Sequence, residues 1–523
     1  MDSVRQVKLK AVVLTAMLLN VCFTTLACAK SVTFTILSFN DVYEIAPDHD
    51  GRGGFASMQT LLTQERATST HHVTTVNGDF LSPSILSIFD KGAHRIDLFN
   101  LLGIDMVVAG NHEFDFGPDE VTKRISESKF PWLTANAFGV DGRYFTGEQQ
   151  TMIVDVDGIK IGFFGLITVE TPELSSTEKK VCFSPLAFTA RRMIQELKAQ
   201  GADVIVALTH LLFAEDQQLA KEVPEIDVIL GGHDHDPITW YDEKTFIHKS
   251  GQNAYYLARI DLTIEKEEGA SKVRVFPSWK LLINKGLEED SAVAKVVTEY
   301  QSMLNRLTSE TLAVTNVEIN TSYTVVRTEE SVMGNLVADA IRLACDADVA
   351  IISGGIIRGN KKYKPGTTIS MRDLYTEMPF GNLNVVVEIP GSAIWEALEN
   401  GVSQYSGKAG RFPQVSGLSF IFDEALPIGS RILSVMIHGA PLDKEKLYKV
   451  ATVDYMFNGG DGYHMFKNGH LLLSPLRQMS TVGTLAELLR STRNIDARIE
   501  GRIVSISSSA SLDEAVGLPP SAL

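Results

Sequence analysis

The sequence predicts an α/β protein of two domains joined by a helix, and three observations carry that expectation. A chain of 523 residues exceeds what one hydrophobic core usually supports, so at least two domains are expected. From Ser31 to about Leu282 short β-rich runs alternate with helical segments and end in polar turns, the pattern of an α/β sheet. From Leu287 to about Leu312 the chain is charged, helix-favouring and free of Gly and Pro, which suits a linking helix.

The first element is a targeting segment. Arg5, Lys8 and Lys10 flank an apolar run from Ala11 to Leu26, and Ala27-Cys28-Ala29 follows as a small-x-small cleavage pattern. Residues 1–29 therefore read as a signal peptide, the alternative being an uncleaved anchor near the lower length limit for a span. Export to the exterior or periplasm follows from the first reading. The tail over 506–523 lacks the long apolar end of a lipid-anchor signal, so no membrane anchor is expected after processing. Oligomeric state is not readable.

Five β-rich runs come next, each with polar residues at its C-terminal end. They are Thr33–Phe39 before Asn40-Asp41, Val73–Val76 before Asn77-Gly78-Asp79, and Met106–Ala109 before Gly110-Asn111-His112. Val204–Thr209 precedes His210, and Val228–Leu230 precedes Gly231-Gly232-His233. Ligands of open α/β sheets bind beyond the carboxyl ends of the strands, so a site along this rim is expected. The domain is assigned to 30–285 and the linking helix to 286–312. A second α/β unit over 313–505 has helix Ser331–Ala344, strand Asp348–Ile352, a Gly-containing turn, helix Ala393–Gln404 and strand Leu418–Phe422.

Composition excludes some classes. Hydrophobic content of 44% and charged content of 21% are ordinary for a folded protein. A formal charge of −16 argues against a nucleic-acid polymer or an anionic membrane as partner. Of four cysteines, Cys22 and Cys28 fall in the leader. Cys182 and Cys345 make no disulfide framework and are expected as small buried side chains.

The five rim motifs supply a set of metal donors. Two hard cations close together need a bridging carboxylate, further oxygen donors and neutral imidazoles from different loops. The motifs Asn40-Asp41, Gly78-Asp79, Gly110-Asn111-His112-Glu113, Thr209-His210 and Gly232-His233-Asp234-His235 supply such a set in order. Each motif alone is weak, but all of them in this order at strand ends are a specific pattern.

On these motifs the chain resembles the calcineurin-like metallophosphoesterase superfamily, and over its mature length the 5′-nucleotidase family. The resemblance implies a four-layer αββα sandwich ahead of a nucleotide-binding α/β domain. It implies two divalent ions (Zn, Mn, Co or Mg), bridged by Asp79 and a hydroxide that attacks phosphorus. Asp41 and His235 complete the first site, and Asn111, His210 and His233 the second. His112 donates to the developing charge on the phosphoryl group, oriented by Asp115. The family's first motif is usually Asp-x-His, whereas this chain reads Asp41-Val42-Tyr43. Three arrangements are open: Tyr43 fills space beside a weaker first site, ligates a ferric ion as phenolate, or leaves the first site empty.

The C-terminal unit offers substrate groups. Ser353-Gly354-Gly355-Ile356-Ile357-Arg358 is a Gly-containing turn ending in Arg, fit for a phosphate or carboxylate, with Lys362 as a second charge; a plain turn with a surface Arg is the alternative. In Asn458-Gly459-Gly460-Asp461-Gly462-Tyr463, Asp461 suits ribose hydroxyls. The resemblance implies a base held between Tyr455 and Phe412, the alternative being two core aromatics, with Arg411 near phosphate or ribose. The family's turn usually reads Asn-x-Gly-Gly-Ile-Arg, so Ser353 and Ile356 depart from it.

The expected function is a secreted, metal-dependent phosphomonoesterase that splits nucleoside 5′-phosphates into nucleoside and phosphate. UDP-sugars, nucleoside di- or triphosphates and 2′,3′-cyclic nucleotides are alternative substrates. A non-catalytic nucleotide-binding protein with a degraded first metal site is the alternative of another class.

Overall fold

The structure, a computed structural model, describes residues 30–267, 272–473 and 480–506. The leader expected over 1–29 and the tail from 507 onward lie outside them. Among the described residues no helix is long and apolar enough to cross a membrane.

Strands β1 (Lys30–Phe39), β2 (His72–Asn77), β3 (Met106–Val108), β4 (Thr151–Val156), β5 (Ile159–Ile167), β6 (Val204–His210), β7 (Val228–Gly232), β8 (Pro237–Tyr241), β9 (Phe246–Ser250), β10 (Tyr256–Lys266) and β11 (Arg274–Ile283) build two sheets. Their orders are β11-β10-β1-β2-β3 and β8-β9-β7-β6-β5-β4. The central strands are buried on both faces, and the two-residue period of a strand sorts their side chains. Along β1, Val32, Phe34 and Ile36 enter the core between the sheets, whereas Leu37 and Phe39 face the outer helices. Along β6, Val204, Val206 and Leu208 face inward, and Ile205 and Ala207 face the opposite helical layer.

Helices α1 (Phe55–Ala67), α2 (Ile85–Asp90) and α3 (Ala93–Leu102) cover the first sheet. Helices α4 (Leu186–Ala199) and α5 (Phe213–Glu222) cover the second. The result is four layers in the order α, β, β, α.

The charged stretch after the sandwich forms α6 (Ser291–Thr308), shorter than its sequence span. Asp290 caps it, accepting from the backbone N–H groups of Ala292 and Val293 at 3.0 Å, so Glu288 and Glu289 stand outside the helix. Val293, Val297 and Leu304 pack into the core of the first sheet and its helices. The linker is thus part of the N-terminal layer.

In the C-terminal unit β12 (Val349–Ser353), β13 (Asn384–Pro390), β14 (Pro413–Ser416), β15 (Leu447–Val453) and β16 (His470–Leu473) form a sheet ordered β14-β12-β15-β13-β16. Helix α7 (Val332–Ala344) starts at Ser331, whose hydroxyl accepts from Gly334 N–H at 2.9 Å, and it buries Met333, Val337 and Ile341 at helical spacing. Helix α8 (Met371–Glu377) faces α2 across the domain boundary, where the Phe89 and Tyr375 rings meet edge to face at 5.1 Å. Cys182 is exposed and Cys345 half-buried, both as free thiols. The expectation of two buried cysteines is corrected. Cys182 lies in a short pairing of 181–183 with 137–139, where strand alternation buries Val181 and turns the next side chain outward. Cys345 stands just past the end of α7, at its C-cap.

Candidate metal centre and substrate cleft

The carboxyl ends of β1, β2, β6 and β7 bring the rim motifs together. Asp41 and Asp79 follow β1 and β2 by two residues each, His210 is the last residue of β6, and His233 follows β7 directly. The main chain locks the two acidic turns to each other, with Asp41 N–H donating to the Gly78 carbonyl at 3.1 Å and Val42 N–H to the Asp79 carbonyl at 2.9 Å. Asp41, Asp79 and His233 all hold positive φ, at 52°, 53° and 77°, a sparsely populated region for residues with a side chain. Close packing demands glycine beside them: a Cβ on Gly110 would lie 2.2 Å from Asp79 Oδ1, and one on Gly232 2.0 Å from the Asn77 carbonyl.

Ligand atoms of Asp79, His210 and His233 lie within 4.8 Å of one another. His210 Nε2 is 3.1 Å from Asp79 Oδ2 and 3.3 Å from His233 Nδ1. The other ring nitrogen, Nδ1, donates to the Asn77 carbonyl at 2.9 Å, which leaves Nε2 as the donor toward the centre. Asn111 Oδ1 is buried there with no hydrogen-bond partner, an orphan acceptor that a cation would satisfy.

The electrostatics point the same way. Burial works against a charged His210, yet the carboxylates of Asp79 and Asp41 outweigh it and raise its pKa to about 10. A proton thus does at His210 what a metal ion would do, and binding of the ion would release it. Burial, followed by the charge on His210, lowers His233 to about 4. Burial also opposes the charge of Asp79, but His210 and His112 hold its carboxyl below the usual range.

On the other side of Asp79 lie Asp41, His235 and Tyr43. The Tyr43 hydroxyl is 2.9 Å from His235 Nε2, 3.2 Å from Asp41 Oδ1 and 3.5 Å from Asp79 Oδ2. It therefore points into the space these three donors share. Burial first, and then Asp41 and Asp79, push the phenol well above its ordinary pKa.

Glu113 is the residue that sequence reasoning passed over. Fully buried, it accepts from Asp79 N–H at 2.9 Å, Phe80 N–H at 2.7 Å, Leu81 N–H at 3.0 Å and Gly110 N–H at 2.5 Å. One carboxylate thereby splices the Asp79 turn to the Asn111 turn. Its place in Gly110-Asn111-His112-Glu113 was visible, but only the fold shows which N–H groups it meets.

His112 sits where the two domains face each other. Its Nδ1 pairs with Asp115 Oδ2 at 2.9 Å, and Asp115 is held by the hydroxyls of Ser82 at 2.7 Å and Ser175 at 2.8 Å. Nε2 is then the nitrogen left for the cleft. Burial lowers the His112 pKa, but Asp115 and Asp79 reverse this and raise it to about 9. Phe380 from the C-terminal domain stacks on the imidazole at 5.9 Å and 15°.

A cavity of about 240 Å³ opens from His112 and is lined by Asn111, His233, Arg327, Arg358, Phe380 and Tyr455, among others. Arg358 reaches it as expected, its guanidinium 5.5 Å from the Phe380 ring centre and 5.6 Å from that of Tyr323. Arg327, which the sequence reading did not single out, lines it too, with Nε buried and unpartnered. Burial and the nearby Arg358 charge lower the Arg327 pKa, outweighing Tyr323 and Asp461, which raise it. Asp461, at φ 54°, and Tyr455 also line it. The Tyr455 hydroxyl donates to the Glu173 carbonyl of the other domain at 3.1 Å.

Other expectations for this wall are corrected. Phe412 is 1% exposed and packs against Tyr405 and Phe422 in the C-terminal core, so it forms no clamp with Tyr455. Arg411 is not among the cavity's lining residues, and its Nη1 lies 3.3 Å from Asn400 Oδ1 and 3.4 Å from Ser403 Oγ. Lys362 is exposed on a short strand paired with Ile319–Asn320 and is not among the cavity's lining residues. The glycine turn offers fewer backbone donors than expected, because Gly354 N–H bonds the Phe412 carbonyl at 2.7 Å and Gly355 N–H the Gly410 carbonyl at 2.8 Å.

Comparison with known proteins adds to this geometry. Residues 34–237 match the calcineurin-like phosphoesterase family, and residues 309–468 the 5′-nucleotidase C-terminal domain. A 5′-nucleotidase of Diplobatis ommata is 28% identical over 552 residues, covering 95% of this chain and 94% of its own. The trifunctional nucleotide phosphoesterase protein YfkN of Bacillus subtilis is 29% identical over 479 residues, 83% of this chain. The match spans only 32% of that longer protein. The crystal structure of a 5′-nucleotidase precursor from Thermus thermophilus superposes with a TM-score of 0.77 at 26% identity, over 91% of this chain and 99% of that one.

Proposed function

The chain belongs to the 5′-nucleotidase family and is a phosphoric ester hydrolase, and from that premise we propose that it splits nucleoside 5′-monophosphates into nucleoside and phosphate. One observation carries the reading: Asn111 and His233 of the N-terminal donor set, with His112, and the two arginines Arg327 and Arg358 of the C-terminal domain line a single cavity.

The residues fit divalent ions, since an orphan Asn111 oxygen, a tautomer-fixed His210 and two carboxylates converge there. Asn111, His210 and His233 would hold one ion and Asp41 and His235 the other, with Asp79 shared. The ions would supply Lewis acidity, lowering the pKa of water and polarising the phosphoryl group. The Tyr43 hydroxyl crowds the Asp41–His235 side, so that position would hold its ion more weakly. A neutral phenol is a poor donor at its ordinary pKa of about 10.

The chain's own groups divide the remaining work. His112 Nε2 donates a proton-bearing contact to the phosphoryl oxygens, where charge grows in the transition state. Asp115 keeps the imidazole oriented and protonated. Arg327 and Arg358 hold the anionic end of the substrate by charge-assisted hydrogen bonds. Asp461 accepts from sugar hydroxyls, and Tyr455 offers a ring to the base. The Phe380–His112 stack and the Tyr455–Glu173 bond tie the two walls of the cleft together. Residues 1–29 act as an export signal in this reading, which places the mature chain outside the cytoplasm.

The test is phosphate release from AMP by the purified mature protein in Mn²⁺, Zn²⁺, Co²⁺ and Mg²⁺, beside Asp79→Asn. Release that vanishes in the variant supports the proposal. No release from AMP, with hydrolysis of a UDP-sugar to UMP and sugar phosphate, of ADP to AMP and phosphate, or of a 2′,3′-cyclic nucleotide to the nucleoside monophosphate, each followed by chromatography of the products, would move the substrate and keep the centre.

A further inference from the structure

Behind the histidines lies a buried cation that the hydrolytic reading leaves unused. Lys249 stands on β9, and its side chain is 0% exposed. Its Nζ lies 3.0 Å from Asp216, also 0% exposed, and donates to Asp234 Oδ2 at 2.6 Å. It donates further to the carbonyls of Gly232 at 2.8 Å and Leu211 at 2.5 Å. Leu211 follows His210 in the chain, and Gly232 precedes His233. Strands β9, β7 and β6 are neighbours in the sheet, so a single ammonium ties three adjacent strand ends together.

The partners extend the same frame. Asp216 accepts from the Thr209 hydroxyl at 2.7 Å, one residue before His210. Asp234, between His233 and His235, accepts from Phe213 N–H at 2.7 Å, which fastens the His233 turn to the start of α5. Replacing buried ion clusters by apolar side chains is often neutral or stabilising, so fold stability alone does not account for a charge placed here. What Lys249 does control is the main chain on both sides of the His210–His233 pair, whose ring centres are 5.1 Å apart.

We propose that Lys249 is a positioning residue for the metal centre, its ammonium setting the spacing of His210 and His233 through the carbonyls beside them. The proposal rests on the reading of these histidines as metal donors. Carbonyl and carboxylate partners that orient donors in this way typically govern metal affinity by about 10- to 100-fold.

The experiment is Mn²⁺ binding to the metal-stripped mature protein by titration calorimetry, for wild type, Lys249→Met and Lys249→Gln. Circular dichroism and thermal unfolding report the fold, and kcat and KM are taken at saturating metal. Lys249→Met, which cannot donate, should bind Mn²⁺ about 10- to 100-fold more weakly while keeping a native dichroism spectrum, with kcat falling more than KM rises. Lys249→Gln still donates to carbonyls and should recover part of the loss. Wild-type affinity in folded Lys249→Met overturns the proposal, even if the unfolding midpoint drops, since that marks a purely structural role. If Lys249→Met does not fold, Lys249→Gln and Asp234→Asn decide: weakened binding in either supports the proposal, and wild-type affinity in both overturns it. A wild-type protein that takes up no Mn²⁺ or Zn²⁺ would overturn the donor-set reading itself, a result distinct from the others.

Discussion

The N-terminal wall of the cleft is built from strand ends, and the C-terminal wall from loops between helices and strands. On the first wall each donor sits within a few residues of a strand whose hydrogen-bonded register fixes its height and direction. Asp41, Asp79, Asn111, His210, His233 and His235 therefore converge from positions spread between 41 and 235. On the second wall the groups depend on how loops pack. Arg358, Tyr455 and Asp461 reach the cavity, whereas Arg411, Phe412 and Lys362 do not. The contrast teaches that chemistry carried on a sheet edge can be read from local sequence, while chemistry carried on loops needs the packing around it.

The sharpest test of the first wall is His112→Ala. Loss of the donor facing the phosphoryl oxygens should lower kcat by about 10²- to 10³-fold with little change in metal content, checked by steady-state kinetics and elemental analysis. A fall below tenfold would break the assignment.

The second wall is tested by its two arginines. Arg327→Ala and Arg358→Ala should each lower kcat/KM for AMP by about 10- to 100-fold, the worth of a charge-assisted hydrogen bond of about 1.5–3 kcal/mol. An inert Arg327→Ala would return that residue to the background and restore the sequence-only picture of this wall.

Smaller effects separate Tyr455 from Phe412. Tyr455→Ala should raise KM for AMP by about tenfold, from lost stacking of about 1–3 kcal/mol. Phe412→Ala should instead lower unfolding free energy by about 3–5 kcal/mol as a core cavity, measured in urea, with KM of the folded protein unchanged. Lys362→Ala should alter neither quantity.

Much of the fold was legible. The five strand ends, the helix from Ser331 and the charged linker all showed in residue pattern, because each is a local consequence of side-chain period and composition. The linker's allegiance was not legible: Val293, Val297 and Leu304 make an apolar stripe, but only the folded core shows that the N-terminal layer receives it. Tyr43 was recognised as a departure, yet its hydroxyl's place among Asp41, Asp79 and His235 comes from the turn geometry.

By itself, the sequence determined which side chains stand at the carboxyl ends of these strands, and so the candidate donor set. Tertiary structure alone decided the roles of Glu113, Lys249, Arg327 and Phe380. Glu113, Lys249 and Phe380 each meet a partner far away in the chain, the N–H group of Asp79, the carbonyl of Leu211 and the ring of His112 respectively, and Arg327 reaches a cavity lined from both domains. Residue patterns record a side chain's own neighbours along the chain, whereas long-range contacts form only when the sheets and domains pack.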